Sequence, residues 1–156
     1  ASSNVDMPTM PLDILSVFNN DNSVVVFDVG GDDDGALALG QYKQYFDKYG
    51  YEMHFIVNTK RPLTRTNDEL IEIAERIESA SRLKFTDIYN NTNLSDQTDE
   101  TTLFSGYDEI KMLSKKMGIV IKKNCGIDKA LSNVPTNLKD TVFRMNICIL
   151  RPWEIQ

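Results

Sequence analysis

The sequence predicts an α/β fold, a single domain over residues 1–156 built on a mainly parallel sheet. Short runs of β-branched and aromatic residues alternate with segments of helical periodicity, which is the order that right-handed βαβ units produce. The length of 156 residues suits one compact domain, and 41% hydrophobic with 26% charged residues is an ordinary globular composition.

The first half of the chain predicts two helices and two strands after a polar arm at residues 1–10. A short helix is expected over 11–18, where apolar residues recur three positions apart, and a longer one over 36–49, which has a broad apolar face. The apolar runs at 24–28 and 53–57 predict strands, and the first of them is typical of a strand buried on both faces.

The second half continues the alternation with two helices, a helical turn and three strands. The helix over 67–81 is predicted most clearly, because Thr66 and Glu69 match a capping box in front of apolar residues at helical spacing. The other predicted elements are a helix over 102–117, a helical turn over 127–131, and strands over 83–89, 119–121 and 142–150.

Charge and cysteine usage exclude several classes of protein. The net charge of −6 argues against an extended nucleic-acid surface, although local basic clusters remain. No apolar run approaches the roughly 18 residues of a transmembrane helix, and the N-terminus has no signal-peptide pattern. Cys125 and Cys148 make no disulfide framework, so we expect reduced thiols and a cytoplasmic protein.

Residues 28–34, Asp-Val-Gly-Gly-Asp-Asp-Asp, are the most informative candidate site. An acid at the carboxyl end of a strand lies where open α/β sheets bind ligands, and Asp28 would hold Mg²⁺ there, usually through water. Gly30 and Gly31 would let backbone N–H groups approach a phosphate, with Asp32 beside them. The alternative is a Gly-rich turn leading into an acidic helix N-terminus, where aspartates favour the helix dipole.

Two further polar loops follow predicted strands. Residues 58–65 form a basic loop that suits a phosphate or an acidic partner, or a solvated turn before a helix cap. Residues 90–93, Asn-Asn-Thr-Asn, offer amides that donate and accept, as the edge of adenine requires, although asparagines are also ordinary loop residues. All three loops are expected at the carboxyl ends of successive strands, and this shared position favours a common site.

Several catalytic motifs are missing from the sequence. There is no GxxxxGK[ST], no GxGxxG and no CxxC pair. His54 lies inside a strand pattern, which favours a structural role over catalysis. The serines and cysteines have no candidate base near them in sequence, so nucleophilic catalysis has no support.

Four segments, taken in order, resemble the MinD/ParA-like group of P-loop ATPases, the CobQ/CobB/MinD/ParA family. They are Val-Val-Val-Phe-Asp-Val-Gly-Gly-Asp-Asp-Asp-Gly, Val-Asn-Thr-Lys-Arg-Pro-Leu-Thr-Arg, Tyr-Asn-Asn-Thr-Asn-Leu and Arg-Pro-Trp-Glu. The likeness runs from about Val5 to Glu154 and is to the later part of that domain. It implies a three-layer P-loop NTPase-like, Rossmann-like fold from which the N-terminal P-loop strand and helix are absent.

The resemblance implies roles for particular residues. Asp28 would be the Walker B or switch II acid on the magnesium side, and Gly30 and Gly31 would lie near the γ-phosphate. Asn90 would approach adenine, with Asn91 the second choice. The cofactors implied for the intact protein are ATP and Mg²⁺.

The missing P-loop limits what this chain is expected to do. Family members cradle the phosphates with a Gly-rich loop and its lysine, and neither occurs in these 156 residues. Loss of the P-loop strand would leave a long apolar edge beside the 24–28 strand. We therefore expect a homodimer, a swapped oligomer or a rearranged terminal arm to cover that edge, and weak or no ATP binding by this chain alone.

The expected function is that of a portion of an ATP-binding MinD/ParA-type ATPase, which acts as a nucleotide-dependent switch for a protein partner. The alternative is a non-enzymatic protein-interaction domain on a degenerate P-loop NTPase scaffold. A third candidate is an acidic metal binder, built on Asp28, Asp32, Asp33 and Asp34. A GK[ST] motif upstream in the reading frame would separate the first of these from the second.

Overall fold

The computed structural model describes residues 14–18 and 24–146. The chain divides into two compact units, composed of residues 1–53 with 72–85 and of residues 54–71 with 86–156. The predicted arm at 1–10 lies outside the described residues, and the single domain inferred from the sequence stays a prediction.

The second unit contains a four-stranded, all-parallel sheet in the order β1–β2–β3–β4. Its strands are β1 (His54–Val57), β2 (Asp87–Asn90), β3 (Val120–Gly126) and β4 (Val142–Arg144). The α/β class with a parallel sheet is therefore confirmed. Each strand pairs with the next one along the chain, so the order of the described strands contains no reversal.

The described residues form six α-helices. They are α1 (Ile14–Val17), α2 (Asp33–Gly40), α3 (Lys43–Tyr49), α4 (Asn67–Ser81), α5 (Glu100–Phe104) and α6 (Tyr107–Met117). Short 3₁₀ turns cover Ser95–Gln97, Asp128–Leu131 and Thr136–Thr141. The predicted helical turn at 127–131 is thus confirmed within one residue.

Helix α4 has the bounds that the sequence predicted, and its capping box is formed. The Thr66 amide donates to Oε2 of Glu69 at 3.0 Å, and the Glu69 amide donates to Oγ1 of Thr66 at 3.3 Å. Two backbone donors at the start of the helix are therefore satisfied reciprocally. The apolar positions Leu70, Ala74 and Ile77 are buried.

The two other long predicted helices are each divided. The 36–49 helix becomes α2 and α3, because the amides of Gln41 and Tyr42 bond to carbonyls three residues back and close the first helix. The 102–117 helix becomes α5 and α6, separated at Gly106. Glycine there lets the chain turn in close contact with Thr59.

The predicted strand at 24–28, and its burial on both faces, was wrong. Residues 24–30 have no regular secondary structure, and the side chains of Val24 and Val26 are 94% and 86% exposed. From this segment Phe27 and Val29 pack against the core of the first unit. High β-propensity did not make a strand here, because a strand also requires a hydrogen-bonding neighbour.

The remaining strands differ from their predictions mainly at their ends. The 53–57 strand is confirmed as β1, whereas the 83–89 strand begins only at Asp87. The 119–121 strand extends to Gly126 through polar residues that the apolar pattern did not include. Of the predicted 142–150 strand, residues 142–144 form β4 and residues 145–146 are not in a strand. Its last four positions lie outside the described residues.

Each unit has its own core. In the first unit, the buried residues Leu39, Phe46 and Leu83 are surrounded by partly buried aromatic and apolar side chains, including Phe18 and Phe27. In the second, helix α6 packs on β2 and β3. The large apolar side chains wholly buried in the second unit are Leu70, Ile88, Leu103, Ile110 and Leu113.

Candidate functional site

The carboxyl ends of β1 and β2 bring two of the predicted loops together. The Asn58 side chain donates from Nδ2 to the Asn93 carbonyl at 3.1 Å and accepts the Asn93 amide at Oδ1 at 3.2 Å. The Thr59 amide donates to Oγ1 of Thr92 at 3.2 Å, and the two threonine hydroxyls are also 3.2 Å apart. Loops 58–65 and 90–93 thus share one edge of the sheet, as their positions after parallel strands predicted.

Two buried asparagines lie beneath these loops. Asn90 ends β2 and donates from Nδ2 to the Leu103 carbonyl and to Oδ1 of Asn124, both at 3.0 Å. Its own Oδ1 accepts the Thr92 amide at 3.1 Å. Asn124 in turn donates to Oγ1 of Thr141 at 2.9 Å. We name the group at this edge the carboxyl-edge cluster: Asn58, Thr59, Asn90, Thr92, Asn93 and Asn124.

The hydrogen bonds of Asn90 bear directly on its predicted role. Both of its amide hydrogens and its oxygen already have partners, and its side chain is completely buried. An adenine edge would have to displace one of these bonds to reach it. Within the described residues Asn90 therefore joins β2, β3 and α5.

Asn91 is placed differently from Asn90. Its backbone amide donates to the Val57 carbonyl at 2.8 Å, and its carbonyl accepts Nδ2 of Asn93 at 2.7 Å. Its side-chain oxygen Oδ1, however, is buried without a hydrogen-bond partner among the described residues. Buried polar atoms are nearly always paired in folded proteins, so this acceptor is the atom at the edge most in need of a donor.

Glycine is required where α5 meets α6, against the carboxyl-edge cluster. A Cβ atom at Gly106 would lie 2.2 Å from Oγ1 and 2.5 Å from Cβ of Thr59. No side chain can be accommodated at such distances unless the backbone moves. The hydroxyl pair of Thr59 and Thr92 is thus covered directly by main chain.

The Asp28 segment belongs to the first unit and leads into α2. Asp28, Gly30 and Gly31 are exposed, and Oδ1 of Asp32 caps the helix by accepting the Gly35 amide at 3.0 Å. This is the geometry of the alternative interpretation, a Gly-rich turn before an acidic helix N-terminus. Asp28 as a magnesium ligand, and Gly30, Gly31 and Asp32 as cofactor contacts, stay predictions.

Asp33 is also engaged within the first unit. Its carboxylate binds Nη2 of Arg76 through both oxygens, at 2.7 and 2.6 Å, and this guanidinium holds the pKa of Asp33 below its usual range. Two of the four acids proposed as a metal cluster, Asp32 and Asp33, therefore already have protein partners.

A buried acid at the opposite edge of the sheet was not anticipated from the sequence. Asp87 is 4% exposed, and its Oδ1 lies 2.6 Å from Nδ1 of His54. Its Oδ2 accepts from Thr86 at 2.9 Å and from Lys122 at 3.3 Å. The cost of burying the Asp87 carboxylate is thus offset by polar contacts from residues that are far apart from one another in sequence. His54 is thus joined to Asp87 across the first two strands of the sheet, and the structural role expected for it stays a prediction.

A shallow cleft of about 330 Å³ lies near the amino end of β4. It is lined by Leu131, Ser132, Asn133, Val134, Lys139 and Val142, none of which the sequence singled out. Lys139 is its one charged lining residue. The cleft therefore offers no constellation of catalytic or metal-ligating groups.

No protein-family model, curated protein or solved structure matches the chain significantly. Within residues 14–18 and 24–146, no helix combines the length and apolar character needed to cross a bilayer.

Proposed function

We propose that this chain is the later part of a MinD/ParA-type ATP-binding switch, in which ATP and Mg²⁺ control the binding of a protein partner. The observation that supports this most is the buried, unpartnered Oδ1 of Asn91 at the carboxyl edge of a parallel sheet. Ligands of open parallel sheets bind at that edge. A buried acceptor without a donor costs about 1–3 kcal/mol, which a ligand N–H group would recover.

The exocyclic amine of adenine has the chemistry that this acceptor requires. Adenine presents an N–H₂ donor at its edge, whereas guanine has a carbonyl oxygen at the same ring position. Asn91 therefore takes the adenine-reading role in the proposal, and Asn90 holds the strands beneath it. The resemblance in sequence had implied Asn90 as the first choice for the adenine contact and Asn91 as the second, so the proposal reverses that order.

The magnesium side of the proposal rests on Asp28. In the intact protein its carboxylate would hold Mg²⁺, and the backbone at Gly30 and Gly31 would approach the terminal phosphate. The exposed valines at 24 and 26 leave an apolar surface that the P-loop part of the domain would cover. Hydrolysis would use water as the nucleophile and would depend on positioning and charge stabilisation.

A nucleotide titration of the full-length protein tests the proposal. With a fluorescent ATP analogue, Asn91→Ala should weaken ATP binding by about tenfold, since one hydrogen bond from the ligand is lost in a buried site. Binding of the corresponding GTP analogue should change little. The matched control is Asn133→Ala, the same change at an exposed loop position. Equal ATP affinity in the Asn91 and Asn133 variants would refute the adenine assignment.

A separate measurement, Mg²⁺-dependent ATP hydrolysis, tests Asp28 as the magnesium ligand. Asp28→Asn should abolish Mg²⁺-dependent hydrolysis by the full-length protein while nucleotide binding without metal persists. The 156-residue chain alone should bind ATP weakly or not at all. Micromolar or tighter binding by this chain would contradict the proposal that its P-loop part is missing.

The second candidate function is a protein-interaction domain that has lost ATP chemistry. It is favoured by one observation, which is that Asn90, Asp32 and Asp33 already use their polar groups within the chain. An upstream reading frame without GK[ST], together with no Mg²⁺-ATP binding by the full-length protein, would establish this alternative over the first.

A further inference from the structure

The loop after β1 presents three exposed cations within six residues. Lys60, Arg61 and Arg65 are exposed, and the side chains of Lys60 and Arg61 have no hydrogen-bond or ion-pair partner among the described residues. The chain as a whole is acidic, with a net charge of −6. A concentrated positive surface in such a chain marks a place where a negative group would be attracted.

The backbone of this loop is fixed before any partner arrives. Oδ1 of Asn58 accepts the Lys60 amide at 2.9 Å, and the Asn58 carbonyl accepts the Arg61 amide at 3.1 Å and the Thr64 hydroxyl at 2.7 Å. At the far end, the Arg65 amide donates to Oε2 of Glu69 at 2.8 Å. A loop ordered in advance loses little conformational entropy on binding, which favours affinity.

Leu63 lies at the tip of the loop in a conformation that costs free energy. Its φ is 65°, in the left-handed region that a leucine rarely adopts, and its side chain is 68% exposed. A glycine would adopt this backbone without strain. The sequence nevertheless places an apolar side chain here, between Arg61 and Arg65. Local strain that is retained together with surface exposure is typical of a functional position.

We infer that residues 60–65 form a docking surface for an acidic protein segment that carries an apolar residue. Its carboxylates would pair with Lys60, Arg61 and Arg65, and its apolar side chain would pack on Leu63. Three cations in one loop, in a chain of net charge −6, do not provide the extended basic surface that nucleic acids require. The apolar tip between the cations also suits a protein rather than a phosphate backbone. This surface goes beyond the proposed nucleotide site and does not depend on it.

The test uses two short fluorescein-labelled peptides and fluorescence anisotropy. In one peptide glutamates flank two central leucines, and in the other serines replace the leucines. Lys60→Ser combined with Arg61→Ser should weaken binding of the leucine peptide by about tenfold or more. The matched control, Lys115→Ser with Lys116→Ser, makes the same charge change at two exposed positions of α6 and should change binding less than about twofold.

The variant Leu63→Gly distinguishes a contribution of Leu63 to peptide binding from a contribution to folding stability. It should weaken binding of the leucine peptide, because the apolar contact is lost, while the thermal midpoint stays the same or rises, because the backbone strain is relieved. A loss of both would mean that Leu63 acts only in folding and would overturn its role in docking.

Four other outcomes would overturn the inference. They are equal losses in the loop and α6 variants, equal binding of the two peptides, tighter binding of a single-stranded oligonucleotide of the same charge, and no peptide binding at up to about 1 mM.

Discussion

Asn90 donates an amide hydrogen to Oδ1 of Asn124 at 3.0 Å, and both side chains are completely buried. The pair joins β2 and β3 beneath two of the three loops that the sequence predicted as a common site. Through their remaining groups the asparagines also bind the Leu103 carbonyl and the Thr141 hydroxyl. This edge of the sheet is therefore held by side-chain amides as well as by backbone pairing.

Removal of either asparagine should destabilise the protein. Asn124→Ala leaves an amide hydrogen of Asn90 buried without its acceptor, at a cost of about 1–3 kcal/mol in the free energy of unfolding. The double variant with Asn90→Ala should cost less than the sum of the two single changes, because the second change no longer breaks the shared bond. Urea unfolding of the unaltered protein, the two single variants and the double variant measures this coupling. Strict additivity of the free-energy changes would show that the pair is not coupled.

Gly106→Ala should also destabilise the protein, because the added methyl group would overlap Thr59. Overpacking of this kind costs about 1–3 kcal/mol. Thermal unfolding checks the prediction, with Gly31→Ala as the control, since a Cβ at that glycine meets no heavy atom within 4 Å. The stability cost of Thr59→Gly should be smaller in the Gly106→Ala background than in the unaltered protein, because the change removes the side chain that the added methyl group overlaps. Unchanged stability of Gly106→Ala would contradict the close contact.

Cys125 should be protected from thiol reagents in the folded protein. Burial raises the pKa of its thiol to about 11 from an ordinary value of 9.0, so little thiolate forms at neutral pH. In a Cys148→Ser background, labelling should be slow in buffer and fast in urea. Equal labelling rates in the two conditions would show that the thiol is not buried.

The same thiol should make stability depend on alkaline pH. Because the folded pKa lies above the unfolded one, the native state retains its proton where the unfolded state has lost it. The free energy of unfolding should therefore fall as pH rises from about 9 to about 11. Cys125→Ala in the Cys148→Ser background should flatten this slope, whereas an unchanged slope would assign the effect to other groups.

Glu69 should contribute an acid-dependent part of stability at the start of α4. The backbone amides of Arg65 and Thr66 hold the pKa of Glu69 below its usual range. The stabilisation is therefore present above the ordinary carboxyl pKa and is lost as pH falls through the lowered value. Glu69→Gln should reduce the pH dependence of urea unfolding in acid. Thr66→Ala should instead cost about 1 kcal/mol and keep most of that dependence, since both backbone bonds to Glu69, the two largest causes of its lowered pKa, persist.

Features fixed by local chemistry could be predicted from the sequence. Helix α4 was placed correctly because the Thr66–Glu69 box and the apolar spacing act within a few residues of one another. The meeting of loops 58–65 and 90–93 was also foreseeable, because parallel strands bring their carboxyl ends to one edge. These two predictions required only local pattern and strand direction.

Features that depend on distant partners could not be predicted in the same way. The apolar run at 24–28 has the composition of a strand, yet nothing in its own residues supplies a pairing partner. Asn124 lies in a polar stretch, so the apolar pattern did not indicate the full length of β3. Its burial is explained by its bonds to Asn90 and Thr141, which are distant in sequence. The positive φ of Leu63 could likewise not be predicted, because leucine normally avoids that conformation.

The sequential order of the strands has a consequence for how the protein is made. Because β2 pairs with β1, β3 with β2 and β4 with β3, each new strand finds its neighbour in chain already synthesised. Domains fold from the N-terminal side as the chain leaves the ribosome, and pairings between consecutive strands close shorter loops than pairings between distant ones. The sheet of the second unit can thus grow one strand at a time during translation, without waiting for a later strand to be inserted between two earlier ones.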